Sequence, residues 1–137
     1  MARQEPFVLH SDGAARGNPG PAGAGAVLYD PDGREVARLH RYLGETTNNV
    51  AEYQALLLGL EAALARGVTH LAVRLDSELI VRQLQGAYRV KAPHLKPLFQ
   101  QARDLLGRFQ GVEVAHVPRA QNAVADKLAN QAIDQDA

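Results

Sequence analysis

Apolar positions recur at helical spacing in four parts of the chain. The clearest is residues 49–66, where one wide arc at about 100° per residue collects the apolar side chains and has Glu52 on its margin. The members of this arc are Tyr53, Leu56, Leu57, Leu60, Ala63 and Leu64. Gly67 follows as a helix-ending residue. Further helices are predicted over residues 77–85 and 94–109 and from Asn122 onwards, with Asn122 as a candidate N-cap.

Strands are predicted where short apolar or β-branched runs are bounded by turn residues. These runs are residues 7–12, 22–29, 35–42, 71–76 and 112–117, and Pro118 ends the last. The glycine- and proline-rich residues 13–21 are predicted to be irregular, so the first strand is expected to stop at Asp12. This glycine-rich stretch contains neither a dinucleotide-binding nor a P-loop signature.

The order of these elements predicts an α/β fold with a five-stranded mixed sheet of order 3-2-1-4-5 flanked by helices. The first three strands form an antiparallel meander, and right-handed crossovers bring the later two parallel to the first. Asp12 and Asp76 both end strands and become neighbours at the carboxyl edge, where open α/β sheets hold their ligands. A chain of 137 residues is expected to form one domain over residues 1–137.

Composition excludes several kinds of protein. The absence of cysteine rules out disulfide frameworks, thiolate zinc sites and cysteine nucleophiles. No apolar run approaches the length of a membrane span, and the first six residues lack a signal-peptide core. We therefore expect a soluble cytoplasmic protein that does not bind membranes, acts as a monomer and needs no obligate protein partner.

Charge is uneven along the chain although its formal net value is zero. Basic residues dominate residues 82–119, where only Asp104 and Glu113 are acidic. They are Arg82, Arg89, Lys91, Lys96, Arg103, Arg108 and Arg119. Such clustering is typical of a solvated face, and it becomes a candidate phosphate track only beside a site that acts on nucleic acid.

Two further acids are expected to reach the carboxyl edge, Glu52 and Asp126, each from the margin of a helix's apolar face. Together with Asp12 and Asp76 they would repel one another unless a cation lies between them. Hard oxygen ligands favour Mg²⁺ or Mn²⁺. A pair of such ions about 4 Å apart is suited to phosphodiester hydrolysis.

Each acid also has a purely local interpretation. Glu52 would complete a capping box with Asn49 as N-cap, which also suits the positive end of the helix. Asp12 would be a turn residue, Asp76 a helix N-cap, and Asp126 an acid favoured in a first helical turn. Only the coincidence of four acids favours the metal site.

Four motifs, in the same order, resemble the type 1 ribonuclease H family from the first strand to the last helix. Asp12 and Gly13 followed by residues 17–20 (GNPG) resemble the family's first-strand signature, and residues 46–52 (TTNNVAE) resemble the start of its first helix. Residues 75–77 (LDS) resemble its third acidic position. Residues 116–126 match the histidine and asparagine spacing before its fourth acid.

The resemblance implies that Asp12, Glu52, Asp76 and Asp126 bind two Mg²⁺ ions, with Mn²⁺ as a substitute. It implies cleavage of the RNA strand of an RNA–DNA hybrid, assisted by His116 at the proton-transfer or product-release step. The substrate contacts that we expect on this basis are Gly13, Asn18, Thr47, Asn48, Asn49, Glu78 and Asn122.

Two features depart from the family pattern. Glu78 stands where many members have glutamine, which removes an amide donor and adds negative charge near the metals. Residues 86–93 are too short for the helix and basic protrusion of longer members, so Arg89, Lys91 and Lys96 would grip the hybrid alone. We therefore expect weaker or more salt-sensitive binding.

Two other functions compete with this interpretation. One is a ribonuclease H-like nuclease that acts on DNA, of the resolvase or integrase type. The other is a non-catalytic nucleic-acid-binding module, against which four carboxylates argue because without metal they would repel phosphate.

Overall fold

The computed structural model describes residues 5–136. In chain order the elements are β1 (Phe7–Ala15), β2 (Gly20–Tyr29), β3 (Glu35–Thr46), α1 (Asn48–Ala65), β4 (His70–Leu75), α2 (Glu78–Leu84), α3 (Lys96–Leu106), β5 (Gly111–His116), a 3₁₀ turn (Arg119–Asn122) and α4 (Ala123–Asp136). The strands form one sheet of order β3-β2-β1-β4-β5, with β4 parallel to both β1 and β5. The predicted sheet order is confirmed.

Helices cover both faces of the sheet. Because side chains alternate along a strand, Leu9 and His10 of β1 point to opposite faces. Leu9 lies against Gly59 of α1. A Cβ added to Gly59 would come 2.7 Å from Cδ1 of Leu9. His10 contacts Asn122, which directly precedes α4. The main apolar core fills the α1 face, together with residues of α2 and α3.

The predicted end of β1 at Asp12 is wrong, because the strand continues to Ala15 and β2 already begins at Gly20. Gly13 pairs with Ala24 in this extension. The small residues allow helices to approach both faces: a Cβ on Gly13 would lie 2.1 Å from the carbonyl carbon of Ala51. At Gly13 a composition that suggested a loop thus reflects close helix–sheet packing, whereas residues 16–19 form the predicted irregular connection.

The start of α1 also differs from the prediction. The N-cap is Thr47, whose hydroxyl accepts a hydrogen bond from the Val50 N–H at 3.3 Å, so Asn49 is not the cap and the capping box with Glu52 does not form. At the other end, Gly67 has φ +76° and donates to the Leu64 carbonyl at 3.0 Å. The predicted helix stop at Gly67 is confirmed.

Three other boundaries are corrected. Helix α3 is shorter than predicted, and β3 runs on to Thr46 through an irregularity opposite Ala22 and Gly23. Asn122 lies in the 3₁₀ turn, and the hydrogen bonds of its side chain run to β1 and to Asp76, so it does not cap α4. Among residues 5–136, no helix combines the length and apolarity needed to cross a membrane.

Candidate active site

Three carboxylates meet at the carboxyl end of the central strands. Asp12 lies within β1, Asp76 directly follows β4, and Glu52 comes from the second turn of α1. One oxygen from each lies within 4.8 Å of the other two. Asp12 is only 4% exposed and Glu52 5%, while Asp76 is half-buried. The predicted convergence of these three acids is thus found in the structure, and we call them the acid cluster.

Glu52 reaches the acid cluster because α1 touches β1 at Gly13. With no Cβ on Gly13, the backbone of Ala51 and Glu52 comes into direct contact with the strand. The Gly13 N–H donates to Oε1 of Glu52 at 3.0 Å. This bond directs Glu52 toward β1, in place of the reach back to the helix start that a capping box requires.

Burial and mutual repulsion make Asp12 and Glu52 reluctant to ionise. The pKa of Asp12 is raised well above its usual range, first by burial, then by the charge of Glu52, with Asp76 and a hydrogen bond to Asp126 adding to the effect. Burial also raises the pKa of Glu52, against the opposing effects of Asp12, the Gly13 N–H and Arg119. Without a cation, Asp12 therefore retains its proton at neutral pH.

Asp126 lies beside Asp12 in the first turn of α4, but outside the acid cluster. Asn130, one turn further on, donates to the Asp126 carbonyl at 3.0 Å and approaches its Oδ1 at 3.5 Å. Arg16 contacts Oδ1 of Asn130 at 3.3 Å and pairs with Asp134 at 2.6 Å. The connection between β1 and β2 is thereby tied to the helix that carries the fourth acid.

Asn122 lies beneath Asp76 and is only 1% exposed. Its Nδ2 donates to the Ser11 carbonyl at 2.9 Å and to Oδ2 of Asp76 at 3.2 Å, and its Oδ1 lies 3.1 Å from Nδ1 of His10. All three partners are residues of the protein itself, so Asn122 stabilises the site from inside the fold. A substrate contact by Asn122 stays a prediction.

Four of the candidate substrate contacts lie around the start of α1. Oδ1 of Asn18 accepts from the Asn48 N–H at 3.0 Å, which joins the exposed β1–β2 connection to the helix. Thr47 uses a lone pair of its hydroxyl for the cap, so its O–H proton remains available to a ligand. Asn49 is half-buried in the first turn.

Glu78 and His116 border the acid cluster without joining it. Glu78 is exposed at the start of α2, and its Oε1 lies 3.4 Å from Arg82. Ser77 is the N-cap of α2, which excludes that role for Asp76. His116 is exposed at the end of β5, in register with Leu75, and therefore lies next to the strand end that carries Asp76.

Three residues near the site were missed from the sequence. Asn130 stands four residues after Asp126, so helical spacing was a usable signal. His10 stands two residues before Asp12 on the same strand face, which was a weaker signal. Arg119 affects the pKa of Glu52 from the 3₁₀ turn, and nothing local in the sequence indicates this approach.

The donor set fits a hard divalent cation. The acid cluster offers only carboxylate oxygens, and two of its members are buried with raised pKa values, which a cation would reverse. Sulfur and imidazole, which softer metals prefer, do not occur among its three donors. Mg²⁺ and Mn²⁺ are the metals that such a site suits.

Comparisons with known proteins agree with this geometry. The family described as "Reverse transcriptase-like" matches residues 10–132. Bifunctional protein Rv2228c of Mycobacterium tuberculosis is 47% identical over 128 residues, covering 93% of this chain and 35% of that protein. Ribonuclease HI of Halobacterium salinarum is 48% identical over 123 residues, covering 90% of this chain and 62% of that protein. The chain thus spans less than two thirds of either relative.

Solved structures are similar over nearly the whole chain. The crystal structure of ribonuclease H1 from Halobacterium salinarum superposes with a TM-score of 0.92 at 46% identity, covering 94% of this chain and 98% of that one. LC11-ribonuclease H1, isolated from compost, was solved in complex with an RNA/DNA hybrid. It superposes with a TM-score of 0.89 at 46% identity, covering 94% of this chain and 97% of that one.

Proposed function

Because the chain belongs to the type 1 ribonuclease H family, we propose that it is an endonuclease that hydrolyses the RNA strand of RNA–DNA hybrids. The observation that carries this proposal is the acid cluster of Asp12, Glu52 and Asp76, whose donors fit a hard divalent cation. The cluster opens at the carboxyl end of the central strands, where α/β sheets hold their ligands.

Asp12, Glu52, Asp76 and Asp126 would hold two Mg²⁺ ions, with Mn²⁺ as a substitute. When bound, such ions supply an activated water and stabilise the leaving oxygen of a phosphodiester. Glu52 is kept in place by the Gly13 N–H, and Asp76 by the Asn122 amide. His116, exposed on the neighbouring strand end, would move a proton near the leaving oxygen or assist product release.

Uncharged groups at the start of α1 would distinguish RNA from DNA. The ribose 2′-hydroxyl both donates and accepts, so it pairs with amides and backbone groups near Gly13, Asn48 and Asn49. Oδ1 of Asn18 is already used by the Asn48 N–H, which leaves its Nδ2 protons for the substrate. Thr47 would donate its hydroxyl proton to a phosphate of the DNA strand.

Basic residues between α2 and α3 would bind backbone phosphates. Val90 is buried, while the flanking Arg89 and Lys91 are exposed. A groove of about 600 Å³ lies here, and its lining includes Tyr88, Arg89, Lys96 and Phe99. Helix α2 has seven residues and rises about 10 Å, so this groove begins about one short helix away from Asp76.

Three substrates of one sequence test the proposal: an RNA–DNA hybrid, duplex DNA and duplex RNA, each with Mg²⁺ and with Asp12→Asn as the inactive control. We expect metal-dependent cleavage of the hybrid's RNA strand. A run of deoxynucleotides moved along that strand should block cutting wherever it covers the scissile bond.

Efficient cleavage of all-DNA duplex would contradict the proposal and favour a nuclease of the resolvase or integrase type. Hybrid binding without turnover in either metal would favour a non-catalytic module.

Action as a monomer, a single domain and a cytoplasmic location are also proposed from the sequence. Light scattering, limited proteolysis and cell fractionation test them.

A further inference from the structure

His10 lies on the far side of Asn122 from Asp76, half-buried within β1. Its ring stands edge-on to Tyr29, with the ring centroids 5.9 Å apart and the planes at 90°. Beside it is a cavity of about 110 Å³ that reaches the start of α4. The imidazole is therefore held between a strand neighbour and the turn that carries Asn122.

The hydrogen bonds of Asn122 decide where a proton sits on His10. The Ser11 carbonyl and the Asp76 carboxylate can only accept, so the Asn122 atom that faces both must be Nδ2, with one proton for each. The remaining atom, Oδ1, can only accept. Nδ1 of His10, 3.1 Å away, must therefore carry a hydrogen.

We propose that His10 is a positioning residue, whose Nδ1–H fixes the amide plane of Asn122 so that Asn122 orients the Asp76 carboxylate in the metal site. The inference rests on the proposed metal-dependent function. Its geometric basis is a continuous series of three side chains, from His10 through Asn122 to Asp76, with heavy-atom distances of 3.1 and 3.2 Å.

Loss of the His10 donor would act on Asp76 in two ways. A buried Oδ1 on Asn122 would lose its partner, which is costly in a site of 1% exposure. The amide would then be held only at its Nδ2 end, by the Ser11 carbonyl and the Asp76 carboxylate, so its plane would be less firmly fixed. Asp76, which keeps its bond to Nδ2, would then be held less firmly toward the metal site.

Substitutions that place or remove a donor at the same point test this role. In His10→Asn the side-chain amide offers an N–H donor at about the position of Nδ1. In His10→Leu the side chain branches at the same atom but offers no donor. Mg²⁺ affinity of the full chain, without substrate, is measured from amide shifts in an NMR titration. Partners of metal ligands typically change metal affinity by about 10- to 100-fold, which we expect for Asn122→Ala. One step further from the metal, His10→Leu should weaken binding about three- to tenfold, and His10→Asn should stay within about twofold of wild type.

Two further readouts separate positioning from a general structural role. The kcat for hybrid cleavage should fall in parallel with Mg²⁺ affinity while KM for the hybrid stays unchanged. In the wild-type chain, imidazole ¹⁵N shifts should show a proton on Nδ1 of His10. This measurement does not depend on whether any variant folds.

The proposal is overturned if His10→Leu binds Mg²⁺ as tightly as wild type, or if the spectra place the only ring proton on Nε2. It is also overturned if asparagine and leucine weaken Mg²⁺ binding equally, since a donor at the δ position would then be irrelevant. If the wild-type chain cleaves the hybrid and His10→Leu binds Mg²⁺ and cleaves equally well, only the role of His10 is refuted. Absence of Mg²⁺ binding by the wild-type chain would remove the proposed function as well.

Discussion

The acid cluster and the basic segment, residues 85–96, are built in opposite ways. In the acid cluster, Glu52 is bonded to the Gly13 N–H and Asp76 to the Asn122 amide. The basic segment presents Arg89, Lys91 and Lys96 to solvent, and among residues 5–136 none of the ion pairs involves them. Buried Val90 and Leu95 attach this segment to the main core.

This difference separates two kinds of functional contribution. The carboxylates of the acid cluster depend on packing, and substitutions there affect folding, proton uptake and chemistry together. Exposed basic side chains contribute mainly through charge, which salt screens and which a neighbouring residue can partly replace. Substitutions in the two regions should therefore differ in both size and kind.

The largest effect is expected from neutralising a central acid. Asp12→Asn or Asp76→Asn should reduce hybrid cleavage to background, while the metal-free Tm stays equal or rises because an amide adds no negative charge to the cluster and needs no bound proton. The control is Asp32→Asn, an exposed acid in the β2–β3 turn, which should retain activity. Near-normal turnover by either central variant would contradict the metal site.

Gly13→Ala should strongly destabilise the fold, because the added Cβ would lie 2.1 Å from the Ala51 carbonyl carbon. We expect a loss of about 3 kcal/mol in the free energy of unfolding, measured in urea. In the matched variant Gly107→Ala the nearest atoms lie 3.5 Å away. That change should stay within about 0.5 kcal/mol, and equal effects of the two would refute the close approach of α1 to β1.

Stability of the metal-free protein should depend on pH through the acid cluster. Folding raises the pKa of Asp12. Protonated Asp12 therefore stabilises the fold fully below the pKa of the unfolded chain, about 3.9. This stabilisation is lost as the pH rises toward the pKa of the folded protein. With a chelator present, Tm measured from pH 4 to 8 should fall more for wild type than for Asp12→Asn. Mg²⁺ should reduce this difference, and a parallel pH dependence of the two proteins would count against the raised pKa.

A smaller effect is expected at the edge of the acid cluster. His116→Ala should slow turnover by about 100-fold, at the low end for a group that assists proton transfer, without preventing Mg²⁺ binding. Single-turnover rates and metal titrations measure the two properties separately, with His40→Ala, exposed on β3, as the control. Loss of metal binding in the His116 variant would show that its assigned role is wrong.

The smallest effects should come from the basic segment. Lys91→Ala or Lys96→Ala should weaken hybrid binding and leave the requirement for a 2′-hydroxyl intact. The negative slope of log K against log salt should become shallower by about 0.7 to 0.9 for each phosphate contact that is lost. Arg34→Ala, in the turn between β2 and β3, serves as the control. An unchanged salt slope in both lysine variants would exclude them as phosphate contacts.

The sequence by itself determined the sheet order and the meeting of Asp12, Glu52 and Asp76. Hydrophobic periodicity is a local property, and it located the two strands and the helix that carry these acids or directly precede them. The right-handed crossover rule then restricted the topology to an order that places β4 beside β1. Gly67 ended α1 as predicted, because the left-handed turn that it makes is also a local property.

Only the tertiary structure decided how these acids are supported. Residues 13–15 continue β1 by pairing with β2, and Gly13 lets the backbone of α1 touch the strand, a distance that no local pattern records. The offset of Asp126, the internal bonds of Asn122 and the approach of His10 and Arg119 likewise join segments far apart in the chain. Such contacts depend on packing in three dimensions, and the same residue types would serve equally well as caps, turns or solvent-exposed charges in another fold.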